Sequence, residues 1–370
     1  MKSEMINKEN INTKIIIYEP MCKQDINKGI NHSPSISTYD KSKNINEIKV
    51  NNEEFDIKRK ITKYYPDIPG DYELCDKIEK GGESFVMKVK HKKSKIELAL
   101  KYIREEKKNK KEIKIASQMK HQNIVRFFIY KSSKEDKSEI MIMESGKFGN
   151  LRNFMKYFLK RAILSESMLC YFSNEILKAL FYCHINKVAH MDLKPQNIVL
   201  DEYMNAKLID FSISIDYKNK NPKDKIKLPF KGTKPFMPLE VMNQESIEYE
   251  NINKVDLFEL GVMLYYLAFG FFPYDIKYDD DYEKIKEKTK NNKLEIKNEY
   301  KFSKYFIDFL EKLLKKDIKE RMNIFEAVNH YWYKGGKILY DEKEKTYNIY
   351  CFATNLIVDG IKEFNDYLLQ

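Results

Sequence analysis

The residues best suited to chemistry lie in two short segments near the middle of the chain. Residues 190–197 read His-Met-Asp-Leu-Lys-Pro-Gln-Asn, and residues 208–212 read Leu-Ile-Asp-Phe-Ser. The carboxylate of Asp192 could orient an attacking hydroxyl and accept its proton, while Lys194 could neutralise charge on a moving phosphoryl group. Asn197 and Asp210 supply oxygen ligands of the kind that Mg²⁺ prefers. These residue types suit magnesium-assisted phosphoryl transfer.

The two segments resemble the catalytic loop and the metal-binding loop of eukaryotic protein kinases of the serine/threonine type. The resemblance implies that Asp192 is the catalytic base, that Lys194 assists it, and that Asn197 and Asp210 bind Mg²⁺. It also implies ATP as the phosphoryl donor and a protein Ser or Thr as the acceptor. Lys194 in this motif is typical of Ser/Thr-directed members, and Ile213 resembles members that favour Thr over Ser.

Further motifs of the family can be followed on both sides of these segments. Lys101 matches the lysine that binds the α- and β-phosphates, and Glu112 matches its partner on the next helix. The resemblance places the remaining nucleotide contacts at Gly81, Gly82, Ser84, Val86, Ala99, Met143, Glu144, Gly146, Asn150 and Val199. Asp256, Glu240 and Arg321 match residues that stabilise the architecture, with Glu240 and Arg321 expected to form a buried ion pair.

Three departures from the family pattern leave the function open. Met191 replaces the Arg that usually receives a phosphate on the activation loop. Ser212 replaces a Gly, which removes easy access to positive φ. The glycine-rich loop keeps one of its three pattern glycines, with Glu79 and Ser84 at the other two positions. The main prediction is an active protein kinase, and the alternative is a pseudokinase that binds nucleotide or partners with little turnover. A small-molecule kinase is a more distant third reading.

The order of patterns along the chain predicts the fold. Strand-like segments come first and long helical segments follow Asn150, which predicts an α+β, bilobal, protein-kinase-like fold. We expect a small antiparallel sheet lobe with one helix (71–143), a hinge (144–150) and a larger, mainly helical lobe (151–333). Residues 1–70 are predicted to be a polar, partly disordered extension, and residues 334–370 a second extension, with an amphipathic helix over 351–369.

The composition of the chain indicates which classes of partner it is expected to bind. The net charge is +11, but only six of the 67 basic residues are Arg, so lysine excess accounts for the charge and nucleic-acid binding is not expected. No apolar run reaches a membrane-spanning length. The five cysteines are scattered, which favours a reducing compartment, and we expect a cytoplasmic monomer, with the nucleus left open.

The resemblance also bears on the substrate sequence. Kinases that select an Arg upstream of the target hydroxyl usually offer acidic residues at the positions of Asn150 and Gln196, and both residues are neutral here. Lys231 and Lys234 instead favour acidic substrate residues near the target hydroxyl.

Overall fold

The computed structural model of the protein describes residues 55–80, 84–104, 110–158, 163–296 and 302–333. Most of the predicted N-terminal extension, Gly81, Gly82 and the predicted C-terminal helix lie outside the described residues. The description below therefore concerns the body of the chain from residue 55 to residue 333, with the gaps given.

One antiparallel sheet forms the smaller lobe. Its strands are β1 (Tyr72–Lys80), β2 (Ser84–His91), β3 (Glu97–Arg104), β4 (Phe127–Ser133) and β5 (Ser138–Glu144), in the order β1-β2-β3-β5-β4. The helix α3 (Lys110–Gln118) lies in sequence between β3 and β4. This lobe, together with the helical lobe that follows it, confirms the predicted α+β, bilobal class.

The burial pattern of strand β3 shows which face of the sheet is covered and which faces the larger lobe. Side chains of a strand alternate between the faces of a sheet, and here Leu98, Leu100 and Tyr102 are buried while Ala99 and Lys101 are partly exposed. The buried set belongs to the apolar cluster on the outer face. Lys101 therefore points to the opposite face, toward the larger lobe.

Two helices cover the outer face of the sheet. They are α1 (residues 55–64) and α2 (Asp67–Asp71). Ile57, Ile61 and Ile68 are buried against the sheet, and the Tyr65 hydroxyl donates to the carbonyl of Ser138 (2.7 Å). The sequence pattern predicts that the folded domain begins only at residue 71. Residues 55–70 instead pack on the sheet, because apolar residues one helical turn apart give an otherwise polar segment one apolar face.

Helices dominate the larger lobe. They are α4 (Leu151–Phe158), α5 (Glu166–Ile185), α6 (Leu239–Met242), α7 (Asn253–Phe269), α8 (Tyr282–Asn291), α9 (Lys304–Leu313) and α10 (Ile324–Val328). Short strands carry the segments between α5 and α7: β6 (Val188–Ala189), β7 (Ile198–Leu200), β8 (Ala206–Leu208), β9 (Ile215–Asp216), β10 (Lys225–Lys227) and β11 (Ser246–Glu248). The long helices α4, α5, α7 and α9 agree with the prediction that helical segments follow Asn150.

The helix α7 is the centre of the larger lobe. Nearly all of its residues are buried, and it ends at Gly270, whose φ of 79° is the left-handed conformation that terminates many helices. A helix that is apolar around its whole circumference must be surrounded by protein. Polar groups on α7 are therefore available only to neighbouring segments, and the catalytic-loop segment is one of them.

Candidate active site

A short hairpin brings the predicted metal ligands together. Strands β7 and β8 pair antiparallel, with Ile198 opposite Leu208. At the open end of the hairpin the Ile209 N–H donates to the Asn197 carbonyl (3.0 Å). Asp210 is the next residue, so the amide of Asn197 and the carboxylate of Asp210 occupy neighbouring positions in the fold although they lie apart in sequence.

Lys101 links the two lobes by ion pairs. Its Nζ lies 2.7 Å from Oε1 of Glu112 on α3 and 3.2 Å from Oδ1 of Asp210 in the larger lobe. Burial by itself would lower the pKa of Lys101, but the charges of Asp210 and Glu112 outweigh burial and raise that pKa. Lys101 is therefore a cation held in place by two carboxylates.

The pKa values of the two carboxylates bound to Lys101 shift in opposite directions. Burial would raise the pKa of Asp210, but the charge of Lys101 and a hydrogen bond from Ser212 hold that pKa below its ordinary value. For Glu112 burial dominates and raises the pKa, and its Oε2 has no hydrogen-bond partner within the described part of the chain. The Asp210 side chain is 31% exposed against 3% for Glu112. Asp210 is the carboxylate of this cluster that a cation from solvent can reach.

Both oxygens of Asp192 accept hydrogen bonds. Its Oδ2 accepts from Nζ of Lys194 (2.6 Å) and from Nδ2 of Asn197 (3.0 Å), and its Oδ1 accepts from the hydroxyl of Thr233 (2.7 Å). Lys194 Nζ also donates to Thr233 Oγ1 (2.7 Å). Thr233 was not among the site residues predicted from the sequence. Its hydroxyl occupies a position next to the carboxylate where an acceptor hydroxyl could also bind.

The metal-binding loop is held by an aromatic contact. Phe211 is buried, and its ring packs edge-on against His190 with 5.3 Å between ring centroids, while Nε2 of His190 donates to the Ile209 carbonyl (2.9 Å). The positive φ of this loop falls on Asp210 (69°) and not on Ser212. Ser212 is therefore accommodated without backbone strain at the position where the family pattern has glycine.

The hinge after β5 is narrow because of Gly146. A Cβ at this residue would lie 2.6 Å from Cβ of Val199, so any side chain there would collide with β7. Glu144 is fixed on the other side, since its Oε2 accepts from Nζ of Lys207 (2.9 Å) and from the Arg126 N–H (3.0 Å). The backbone of the hinge and the side chain of Val199 are thus brought close together.

The other predicted nucleotide contacts fall on strands and on one helix start. Val86 is opposite Lys101 and Ala99 is opposite Met143, each partly exposed. Ser84 begins β2 and is opposite Ile103. The Asn150 side-chain oxygen accepts from the Asn153 N–H (2.9 Å) and caps α4, which leaves its Nδ2 available for the predicted nucleotide contact.

The backbone before Asp192 is anchored to α7. Asp256 is fully buried and accepts from the N–H groups of His190 (2.9 Å) and Met191 (2.7 Å) and from Nε2 of His184 (2.7 Å). Burial would raise the pKa of Asp256, but the hydrogen bond and charge of His184 bring it below its ordinary value. An ionised acceptor stabilises Met191 at its positive φ of 71°. This contact fits the architectural role expected for Asp256.

The segment between the metal-binding loop and Thr233 is held by strand pairing near both of its ends, while residues 218–224 between the paired strands are exposed. Strand β9 pairs with β6 and β10 pairs with β11. Ser214 is buried and its hydroxyl donates to the His190 carbonyl (3.0 Å). Tyr217 is buried and its ring stacks on Tyr249. Both hydroxyl side chains between residues 213 and 231 are therefore buried.

The fold and this arrangement of charged groups together define the protein kinase class. Residues 72–333, more than two thirds of the chain, match the family described as the protein kinase domain. The chain belongs to the eukaryotic protein kinase superfamily, and its relatives are of the serine/threonine type.

Several curated proteins are similar to this chain. Death-associated protein kinase 2 of Mus musculus is 28% identical over 284 residues, covering 70% of this chain and 71% of that protein. Myosin light chain kinase family member 4 of Mus musculus is 29% identical over 231 residues, covering 62% and 56%. Probable serine/threonine-protein kinase MARK-B of Dictyostelium discoideum is 29% identical over 257 residues, covering 67% of this chain and 33% of that protein.

A membrane-spanning helix and a metal site built from His, Cys, Asp or Glu alone are both missing from the described residues. No helix in the described ranges is long and apolar enough to cross a membrane. No group of three or more His, Cys, Asp or Glu side chains within the same ranges could hold a metal ion alone. A cation at Asn197 and Asp210 would therefore need further oxygen ligands from elsewhere.

Proposed function

We propose that the protein transfers the γ-phosphoryl group of ATP, with Mg²⁺, to Ser or Thr hydroxyls of protein substrates. The observation that carries the proposal is the complete set of charged groups: Lys101 on Glu112 and Asp210, and Asp192 on Lys194. Each group is held by its neighbours before any ligand binds. Phosphoryl transfer requires such preorganisation, because the protein forms no covalent bond to the phosphoryl group and contributes mainly by positioning and electrostatic stabilisation.

The donor set fits a magnesium ion that is shared with phosphates. Asp210 offers an ionised carboxylate, and both side-chain hydrogen bonds of Asn197 found among the described residues use Nδ2, which leaves its amide oxygen as a ligand. Mg²⁺ commonly binds one or two protein oxygens together with phosphate oxygens and water. Two ligands without a third carboxylate are consistent with that mode.

We expect the adenine base to bind beside the hinge. Gly146 lets the backbone approach Val199 to a distance that no other residue would allow. Val86, Ala99 and Met143 are partly exposed apolar side chains on β2, β3 and β5. A mostly apolar slot with backbone polar groups at one edge is the usual form of a nucleotide-base site.

The protein groups divide the work between orientation and proton transfer. Bound nucleotide and cation supply the transferable group and offset its charge. Lys101 holds phosphate oxygens in place, and Asp192 accepts a hydrogen bond from the substrate hydroxyl and takes its proton. Lys194, fixed on Asp192 and Thr233, places a positive charge where negative charge develops.

We further propose that acidic residues near the target hydroxyl favour a substrate. Lys231 is exposed, and Lys234, whose Nζ lies 5.1 Å from the ring centre of Tyr282, directly follows Thr233 in the sequence. Both flank the segment that contacts Asp192 through Thr233. Like charges clustered near a site attract an opposite charge and raise its association rate in a salt-dependent way.

A substrate library tests this preference. We expect Lys231→Glu/Lys234→Glu to reduce phosphorylation of acidic peptides selectively, and less so at high salt. The matched control is Lys290→Glu/Lys293→Glu, which reverses two exposed lysines on and just after α8. A library dominated by upstream Arg, or equal effects of the two double variants, would contradict the preference.

Phosphoryl transfer itself is tested with purified protein, Mg·ATP and a Ser/Thr peptide library. Asp192→Asn, Lys101→Ala and Asp210→Asn should each lower kcat/KM by about 100-fold or more while the protein stays folded. Asp279→Asn and Lys88→Ala make the same changes at exposed positions and should have no effect. If the wild type binds nucleotide but transfers no phosphate, the pseudokinase alternative replaces this proposal.

A further inference from the structure

A second carboxylate of α7 contacts the catalytic-loop backbone. Glu259 lies one helical turn after Asp256, so both project from the same side of the helix. Its Oε2 accepts from the Leu193 N–H at 2.7 Å, and its side chain is buried. The family pattern followed along the chain assigned no role to this residue.

The two carboxylates hold the backbone on both sides of Asp192. Asp256 accepts from His190 and Met191, which precede it, and Glu259 accepts from Leu193, which follows it. Leu193 is fully buried, so its N–H has no access to water and would be left unsatisfied without this acceptor. The direction of the Asp192 side chain depends on both anchors, because its own Cα lies between them.

The pKa values of Glu259 and Asp256 shift in opposite directions. Burial, and then the negative charges of Asp256 and Asp192, raise the pKa of Glu259 well above its ordinary value, against the opposing Leu193 N–H and Lys194. The groups that face it are therefore Asp256 on the same helix and Asp192 and Lys194 in the loop. His184 of α5 reaches this set through Asp256.

We propose that Glu259 is a positioning residue for phosphoryl transfer: its hydrogen bond to Leu193 fixes the backbone after Asp192 and so aims that carboxylate at the acceptor hydroxyl. This inference rests on the proposed function for its catalytic consequence. A base displaced by about 1 Å can lose roughly 100-fold in rate, so loss of one anchor should lower kcat more than it changes nucleotide binding.

Two substitutions separate hydrogen bonding from charge. Glu259→Gln keeps an oxygen acceptor of the same length and stays neutral at every pH. Glu259→Leu keeps a similar volume and removes the acceptor. The control is Met263→Ala, one helical turn further along α7, which measures what general loss of packing does.

Three readouts are compared at a temperature well below each variant's Tm: kcat, the KM for ATP, and kcat as a function of pH. We expect Glu259→Gln to keep kcat within about twofold, with an unchanged pH profile. Glu259→Leu should lower kcat at least about tenfold, with the KM for ATP within about twofold. Met263→Ala should lower Tm without this loss of kcat.

Hydrogen exchange supplies a readout that needs no activity. Amides of residues 190–193 should exchange faster in Glu259→Leu than in wild type or Glu259→Gln, because one backbone anchor is gone. The inference is overturned if Glu259→Leu leaves exchange unchanged, if it keeps the kcat of Met263→Ala, or if Glu259→Gln loses as much as Glu259→Leu. If the wild type transfers no phosphate, the proposed function fails while the exchange result still decides the anchoring.

Discussion

Replacing Arg321 by Met should destabilise the protein more than any surface change. The guanidinium is fully buried and pairs with Glu240 through two hydrogen bonds, Nη1–Oε1 at 2.6 Å and Nη2–Oε2 at 3.3 Å. It also donates to the carbonyls of Lys254 (2.9 Å) and Lys315 (3.0 Å) and stacks over Phe258. Methionine fills much of the volume but makes none of these hydrogen bonds.

The size of the loss follows from what is left unpaired. The Glu240 side chain is only 3% exposed, so the variant buries a carboxylate with no counter-charge. Breaking one partner of a buried ion pair costs about 3–5 kcal/mol. At about 2–4 °C per kcal/mol for a domain of this size, Tm should fall by roughly 6–20 °C.

A pair of controls makes the measurement decisive. Arg152→Met makes the same substitution at an exposed position and should change the unfolding free energy by less than about 0.5 kcal/mol. Arg321→Met/Glu240→Met removes both charges and should recover part of the loss, though the stranded carbonyls remain. Urea denaturation and thermal melts of all three variants are compared. The reasoning is refuted if Arg321→Met behaves like Arg152→Met, or if the double variant is no more stable than the single one.

Three further outcomes are expected. Activity of a phosphatase-treated sample should equal that of an untreated one, because the hydroxyl side chains between residues 213 and 231 are buried; a tenfold loss would contradict this. Ile61→Ala should lower the unfolding free energy in urea by about 2–5 kcal/mol, and its exposed neighbour Thr62→Ala by less than about 0.5. A hydrogen bond from Lys288 lowers the pKa of Asp280, so its ionised form stabilises the fold above about pH 4 and this contribution disappears as pH falls. The stability gap between wild type and Asp280→Asn should therefore close in acid.

Spacing along the chain was enough to predict the local parts of the site. Asn197 and the residue before Asp210 are hydrogen-bonded neighbours because a short hairpin connects them, and hairpins are set by residues close in sequence. Lys101 and Glu112 meet because a strand is followed at once by a helix. The bilobal class followed from the order of strand and helix patterns in the same way.

Contacts between distant segments that lie outside the family pattern could not be predicted from the sequence. Glu259 looks like one more polar residue in an apolar helix, and only the path of α7 beneath the loop reveals its partner Leu193. Thr233 meets Asp192 because the chain folds back after β10. The burial of residues 55–70 was missed for a different reason. Their charged residues dominate the composition, while three isoleucines on one face determine the packing.

Met191 changes how the backbone around the candidate active site is held in place. An Arg at this position would remain a cation that requires a phosphate or another anion, and its orientation would then depend on modification. Met191 is instead buried, with its N–H on Asp256 and its carbonyl close to Gly232. The segment that follows is held by the strand pairs and by the stacking of Tyr217 on Tyr249, all present without a phosphate. Buried contacts therefore take the place of a charged contact at this position, and we expect activity that does not depend on phosphorylation of that segment.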